Sequence, residues 1–219
     1  MKFPWRQPAP QDGLGAVGRS GEQSEAAAHA CPSLVRAMDR IFKRDKPEIL
    51  DLGPFCGDTA VYLADRGARV SVTEFFPPPA APVAEPGGTR EPDPSPSPLV
   101  IDQPDGCFDL VLAWEHADFT PPDRLRDFGA EIHRVLAVGG LLLLFALNNL
   151  SRAEAMARTL GRYRIDEDDK IAREAVPAIG RRRWAHPTRE IERALAPLSI
   201  QGIHLQRNQM REFLALKPE

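Results

Sequence analysis

Short apolar runs that close on an acidic residue or a glycine alternate along this chain with stretches in which apolar residues recur every three or four positions. The first such run, Glu48-Ile49-Leu50-Asp51-Leu52-Gly53, reads as a buried parallel strand ending at a turn. Beyond it, Ala60, Leu63 and Ala64 have helical spacing, Gly67 supplies a stop, and residues 68–74 read as a second strand. Strand, helix and strand make a βαβ unit. Phe108-Asp109-Leu110-Val111-Leu112-Ala113-Trp114 predicts another buried strand. Thr120-Pro121-Pro122-Asp123 then has the form of a capping box, and Leu125, Phe128, Ile132, Val135 and Leu136 give the following helix its apolar face. Gly139-Gly140 ends that helix ahead of a central strand over residues 141–147. Toward the C-terminus a helix is predicted over 187–195. Strands over 200–205 and 212–216, joined by Gln206-Arg207-Asn208-Gln209, predict an antiparallel hairpin.

The remaining segments read differently. Residues 1–20, rich in Gly, Pro, Gln and Ala without a period, predict a flexible arm ahead of a single domain over 21–219. An amphipathic helix carrying Leu34, Val35, Met38, Ile41 and Phe42 is expected over 22–44, interrupted near Pro32. Residues 77–98 hold nine of the chain's 22 prolines, together with Gly87-Gly88, which predicts a Pro-rich mobile loop. Ser151-Arg152-Ala153-Glu154 predicts a capped short helix to about Leu160, and the acidic and then arginine-rich stretch beyond it predicts a surface excursion.

Composition narrows the class. At 219 residues, 42% hydrophobic and 27% charged, the chain has the make-up of a globular domain with one well-buried core. A formal net charge of -3 gives no global pull toward nucleic acid or anionic lipid. No apolar run reaches the length of a bilayer span and no signal sequence opens the chain, so no membrane and a cytoplasmic location are expected. Cys31, Cys56 and Cys107 form no CxxC pair, and the histidines are scattered, so neither a disulfide framework nor a metal site is expected.

The chemistry gathers at predicted strand ends. Gly53 lets the backbone turn sharply and approach a ligand, and a helix starting near Gly57 presents free N–H groups and a positive dipole end to a carboxylate. Glu74, 21 residues beyond Gly53, falls where a carboxylate at the tip of the second strand accepts both ribose hydroxyl hydrogen bonds. The G-x-G-x-x-G spacing that sets a helix start on a pyrophosphate is missing, which disfavours a nicotinamide-dependent reductase.

Three segments, taken in order, resemble class I S-adenosylmethionine-dependent methyltransferases. Asp51-Leu52-Gly53-Pro54-Phe55-Cys56-Gly57 looks like that family's first motif, with Glu74 following at the next strand end. Pro104-Asp105-Gly106-Cys107-Phe108-Asp109-Leu110-Val111 resembles its lead-in to the fourth strand, and Arg134-Val135-Leu136-Ala137-Val138-Gly139-Gly140 its entry to the fifth. The resemblance covers about residues 35–217. It implies a Rossmann-like, doubly wound α/β sheet, mostly parallel with an antiparallel C-terminal hairpin, and S-adenosylmethionine as cofactor. It also implies a cofactor-binding set of Asp51, Gly53, Pro54, Phe55, Gly57, Glu74, Phe75, Asp102 and Trp114, with methyl transfer to a small-molecule or protein acceptor. Two departures stand out: Phe55 takes the place of the family's middle glycine, and the Pro-rich stretch replaces the expected second helix and third strand. They favour a rival, a methyltransferase-like binding module without turnover that acts through partner contacts.

Each candidate has a plainer reading beside it. Asp51 orients a ligand or only supports its turn, and Glu74 holds a ribose or is merely solvated. Glu115 and His116 follow the fourth strand at the sheet edge where ligands bind, His116 as a base toward an acceptor with Glu115 orienting it, or simply as surface groups. Trp114 stacks on adenine or caps the core. Arg181, Arg182 and Arg183, with Trp184, form the one basic cluster suited to phosphate, and the plainer solvated or acid-paired loop is the favoured reading there.

Overall fold

The computed structural model describes residues 28–73, 100–149, 159–166, 168–177 and 183–219. Six strands form the main sheet: β2 (Glu48–Asp51), β3 (Arg69–Val72), β4 (Phe108–Trp114), β5 (Leu136–Leu147), β8 (Ser199–Leu205) and β9 (Met210–Leu216). Their order is β3-β2-β4-β5-β9-β8. The pairs β2/β3, β2/β4 and β4/β5 are parallel, whereas β9 lies antiparallel to both β5 and β8.

This order follows from the apolar runs. In β4, Leu110, Val111, Leu112 and Ala113 are all buried, so both faces of the strand must be covered. Leu110 and Leu112 pack with Ile49, Leu143 and Phe145 against α1 (Pro32–Ile41) and Leu63 of α2 (Gly57–Asp65). Val111 and Ala113 pack with Leu50, Leu142, Leu144 and Phe213 against α4 (Leu125–Val135) and α5 (Thr188–Leu195). The period-two alternation of a strand thus splits one continuous apolar run between two cores.

Several expectations are corrected. Pro32 begins α1 instead of interrupting a longer helix, as its missing N–H suits the first helical turn. Ahead of it, His29–Ala30 forms a short strand, β1. The expected capping box makes no side-chain cap: Thr120 Oγ1 donates to His116 O, and a 3-10 turn, Pro122–Arg124, leads into α4. β5 starts at Leu136, five residues earlier than expected, because Gly139 at φ 71° lets the strand continue where a helix stop was read. The largest correction is the expected surface excursion. It contains a β-hairpin, β6 (Thr159–Ile165) and β7 (Lys170–Pro177), which with β1 makes a separate antiparallel sheet in the order β1-β7-β6. Tyr163, Ile165 and Ile171 of this hairpin belong to the α1-side core. The arm over 1–20, the Pro-rich stretch over 77–98 and the helix expected from Ser151 lie outside the described residues.

Helices α4 and α5 meet at Gly129, where an added Cβ would lie 1.9 Å from Ala194 O. Backbone on both sides leaves nothing flexible to move aside, so Gly129→Ala is expected to destabilise the chain by about 2 kcal/mol through overpacking, read as a lowered denaturation midpoint at unchanged slope.

Candidate functional site

The tips of β2 and β4 meet at a buried carboxylate. Asp51, 4% exposed, accepts a hydrogen bond from Gly53 N at 2.9 Å and another from the Trp114 indole Nε1 at 2.6 Å. Trp114 ends β4 at φ 37°, in the left-handed region that a bulky side chain rarely adopts. That backbone turn lays the indole on Gly53: a Cβ there would lie 2.4 Å from Trp114 Cδ1. Only glycine permits this approach. Gly53, expected to approach a ligand closely, therefore has the chain's own side chain packed against it.

The indole is also covered by the hairpin. Tyr163 stacks on it with ring centroids 4.7 Å apart and planes 7° from parallel, and Phe145 meets it edge-on at 5.6 Å. The hairpin is also tied to the first turn of α2, since Thr59 Oγ1 donates to Tyr163 O at 2.8 Å and accepts from Ile165 N at 3.0 Å.

Beside the stack lies a buried ionic cluster. Glu115 accepts from Tyr163 Oη at 2.5 Å, Arg173 Nε at 2.6 Å, Arg183 Nη2 at 2.7 Å and Gly161 N at 3.2 Å. Arg183 Nη2 is shared, donating also to Asp118 Oδ2 at 2.8 Å, and Asp118 accepts from Leu147 N at the end of β5. Burial pushes the Glu115 carboxyl up, but the guanidinium groups of Arg183 and Arg173 outweigh it and hold the group below the usual range. Asp118 shares a single guanidinium, so burial wins against Arg183, and the neighbouring Glu115 charge adds to it; the carboxyl is pushed up to about 7. Tyr163 is pushed up by burial and then by Glu115.

Of the residues singled out from the sequence, the structure brings Asp51, Gly53 and Trp114 together. Pro54 is half-buried, Gly57 and Asp102 are exposed, and Phe55 is 51% exposed. Helix α2 starts at Gly57 without a side-chain cap. Glu74, Phe75, Arg181 and Arg182 lie outside the described residues. Glu115 and His116 do not face an open acceptor space: Glu115 is spent in the cluster, and His116, 3% exposed in α3 (His116–Phe119), lies parallel to the Phe128 ring at 6.3 Å. Arg183 is not a phosphate-facing surface group, because its side chain is 1% exposed between two carboxylates. Sequence reading missed Tyr163, Arg173 and Asp118. The alternation of Gly161, Tyr163 and Ile165 with Arg162 and Arg164 is a period-two signal that marks the inward face of β6.

The methionine end of S-adenosylmethionine was expected at Gly53 and the start of α2. The described residues do not fit it there, as the indole lies against Gly53 and donates to the same Asp51 Oδ1 that holds the Gly53 N–H. Among the described residues no group of three or more His, Cys, Asp and Glu is disposed to hold a metal ion, and no helix is long and apolar enough to cross a membrane.

The cluster makes stability depend on pH. Asp118 binds its proton more tightly folded than at its ordinary 3.8, so the stability it contributes is full below that value and is lost as pH rises through about 7. Glu115 works in the opposite sense, its contribution being lost as pH falls below the usual carboxylate range. The melting temperature is expected to be higher at about pH 5 than at about pH 8, and Asp118→Asn is expected to flatten that slope in thermal melts.

No family model matches the sequence, and no curated protein matches it. Solved structures do. A SAM-dependent methyltransferase from Methanosarcina mazei is 16% identical over 86% of this chain and 98% of its own, with a TM-score of 0.51. An S-adenosylmethionine-dependent methyltransferase from Mesorhizobium loti is 16% identical over 84% of this chain and 96% of its own, with a TM-score of 0.52. At this identity the likeness concerns the fold alone, and the fold of this chain is that of the class I S-adenosylmethionine-dependent methyltransferases.

Proposed function

We propose that this chain is a methyltransferase-like binding module that keeps the scaffold without turnover and acts through partner contacts. One observation carries the reading: the Trp114 indole lies against Gly53 and donates to Asp51, where the sequence resemblance implies the cofactor's amino-acid end. Displacing it means giving up the stack on Tyr163 and leaving the buried Asp51 carboxylate short of a donor. Glu115 supports the same reading, since four neighbouring residues already use its oxygens and none is left to orient an acceptor. The partner is a protein or small molecule, and with Arg183 held between carboxylates a phosphate-rich partner has one arginine fewer to meet.

A second reading is methyl transfer from S-adenosylmethionine to a small-molecule or protein acceptor. It is favoured by Asp51 and Gly53 standing at the tip of β2 directly ahead of an uncapped α2, the order that the sequence resemblance implies for the family's first motif. Fold alone does not choose between the two.

Titration calorimetry of the full chain with S-adenosylmethionine and S-adenosylhomocysteine separates them. The module reading expects no saturable heat from either compound up to about 1 mM. A dissociation constant below that limit, weakened further by Asp51→Asn, would replace it with the transferase.

A further inference from the structure

We propose that Trp114 is a built-in occupant of a crevice the scaffold still forms, so that removing its side chain exposes a binding site for a planar aromatic heterocycle carrying one N–H donor. The inference rests on the module reading and adds to it that the crevice is filled and has not been erased.

Three features mark the indole as an occupant. Its backbone sits at φ 37°, a conformation unfavourable for a bulky residue, so the contacts of the ring hold a strained turn in place. Its ring is held as that of a bound ligand is, with the Cδ1–Nε1 edge against Gly53 and the Tyr163 ring stacked parallel on it. Its one polar atom meets a buried carboxylate, with Nε1 donating to Asp51 Oδ1 at 2.6 Å.

The walls do not depend on that ring. Tyr163 is held through its hydroxyl by Glu115 and through its backbone by Thr59. The hairpin is fastened by Arg173 and Arg183 on Glu115, and Gly53 is fixed by its own N–H to Asp51. Deleting the indole thus removes filling and leaves those fastenings in place. Glycine at position 114 also relieves the positive φ. The result is a void of roughly 150 Å³, a size that stays open in other proteins and takes up a single aromatic ring system. Unlike a purely apolar void, this one has a buried carboxylate in its wall, so it selects a ring with a donor over one without.

The test is thermal melting of the full chain carrying Trp114→Gly, with indole and with indene, its counterpart lacking the N–H. The variant is expected to melt about 10 °C below the native chain. Indole at ten times its dissociation constant is expected to raise the variant by about 4 °C. Indene at the same concentration is expected to do less, and neither compound to shift the native chain. An indole effect that is absent, that indene equals, or that the native chain shares would overturn the proposal. If the variant is unfolded without ligand, far-ultraviolet circular dichroism reads the same question: recovery of the folded signal in indole supports the occupant, and failure to recover refutes it. Binding of S-adenosylmethionine by the native chain would defeat the module reading by a separate measurement.

Discussion

A carboxylate held out of water between two guanidinium groups governs the upper edge of this molecule. Glu115 follows directly on the last residue of β4, and both Arg173 and Arg183 reach it from segments that come after β5. Taking such ions out of water costs several kcal/mol each, and the cost is met only with close geometry and filled hydrogen bonds. Here both conditions hold, since Tyr163 and Gly161 complete the acceptor set of Glu115. For Glu115 to turn into the hairpin, the backbone just before it must leave the strand sharply. The left-handed φ of Trp114 is that departure, and it is what swings the indole over Gly53. The ionic cluster and the aromatic plug are two consequences of one constraint on adjacent residues.

The scaffold was legible in the sequence because its strands are continuous apolar runs closed by glycine or acid, a signal that survives any choice of loop. β2, β4, the core of β5 and the closing β8/β9 hairpin were all expected from such runs. The β6/β7 hairpin was not, because charge conceals it: Arg162, Arg164, Arg173 and Glu174 read as a solvated stretch when partners are unknown. In the fold, Arg162 and Glu174 pair across the outer face while Arg173 turns inward to Glu115. Charge predicts exposure only when no opposite charge waits in the interior.

The site was legible in its position and not in its contents. Asp51, Gly53 and Trp114 were each singled out, and they do meet. Phe55, which takes the place of a glycine in the first motif, is half exposed, and it is Trp114 that packs against Gly53. Which of two nearby aromatics enters a crevice depends on one backbone angle, and that angle depends on Glu115 being claimed by arginines some sixty residues away in sequence. Local pattern carries no record of such a distant claim, whereas it does carry the strand itself.

A crevice that works on a ligand leaves donors, acceptors and apolar faces unmet until the ligand arrives, and their satisfaction supplies binding energy. At the tips of β2 and β4 the Asp51 carboxylate already has the indole N–H and the Gly53 N–H, the Tyr163 face has its stacking partner, and the indole edge lies against Gly53. A ligand entering here gains only the difference between its own contacts and the ones it displaces. Because the displaced group is tethered to the chain, it competes without the loss of translational freedom that a diffusing ligand must bear. An intramolecular indole therefore excludes a free ligand of equal contact quality from the tips of β2 and β4, while the strands beneath it keep their order.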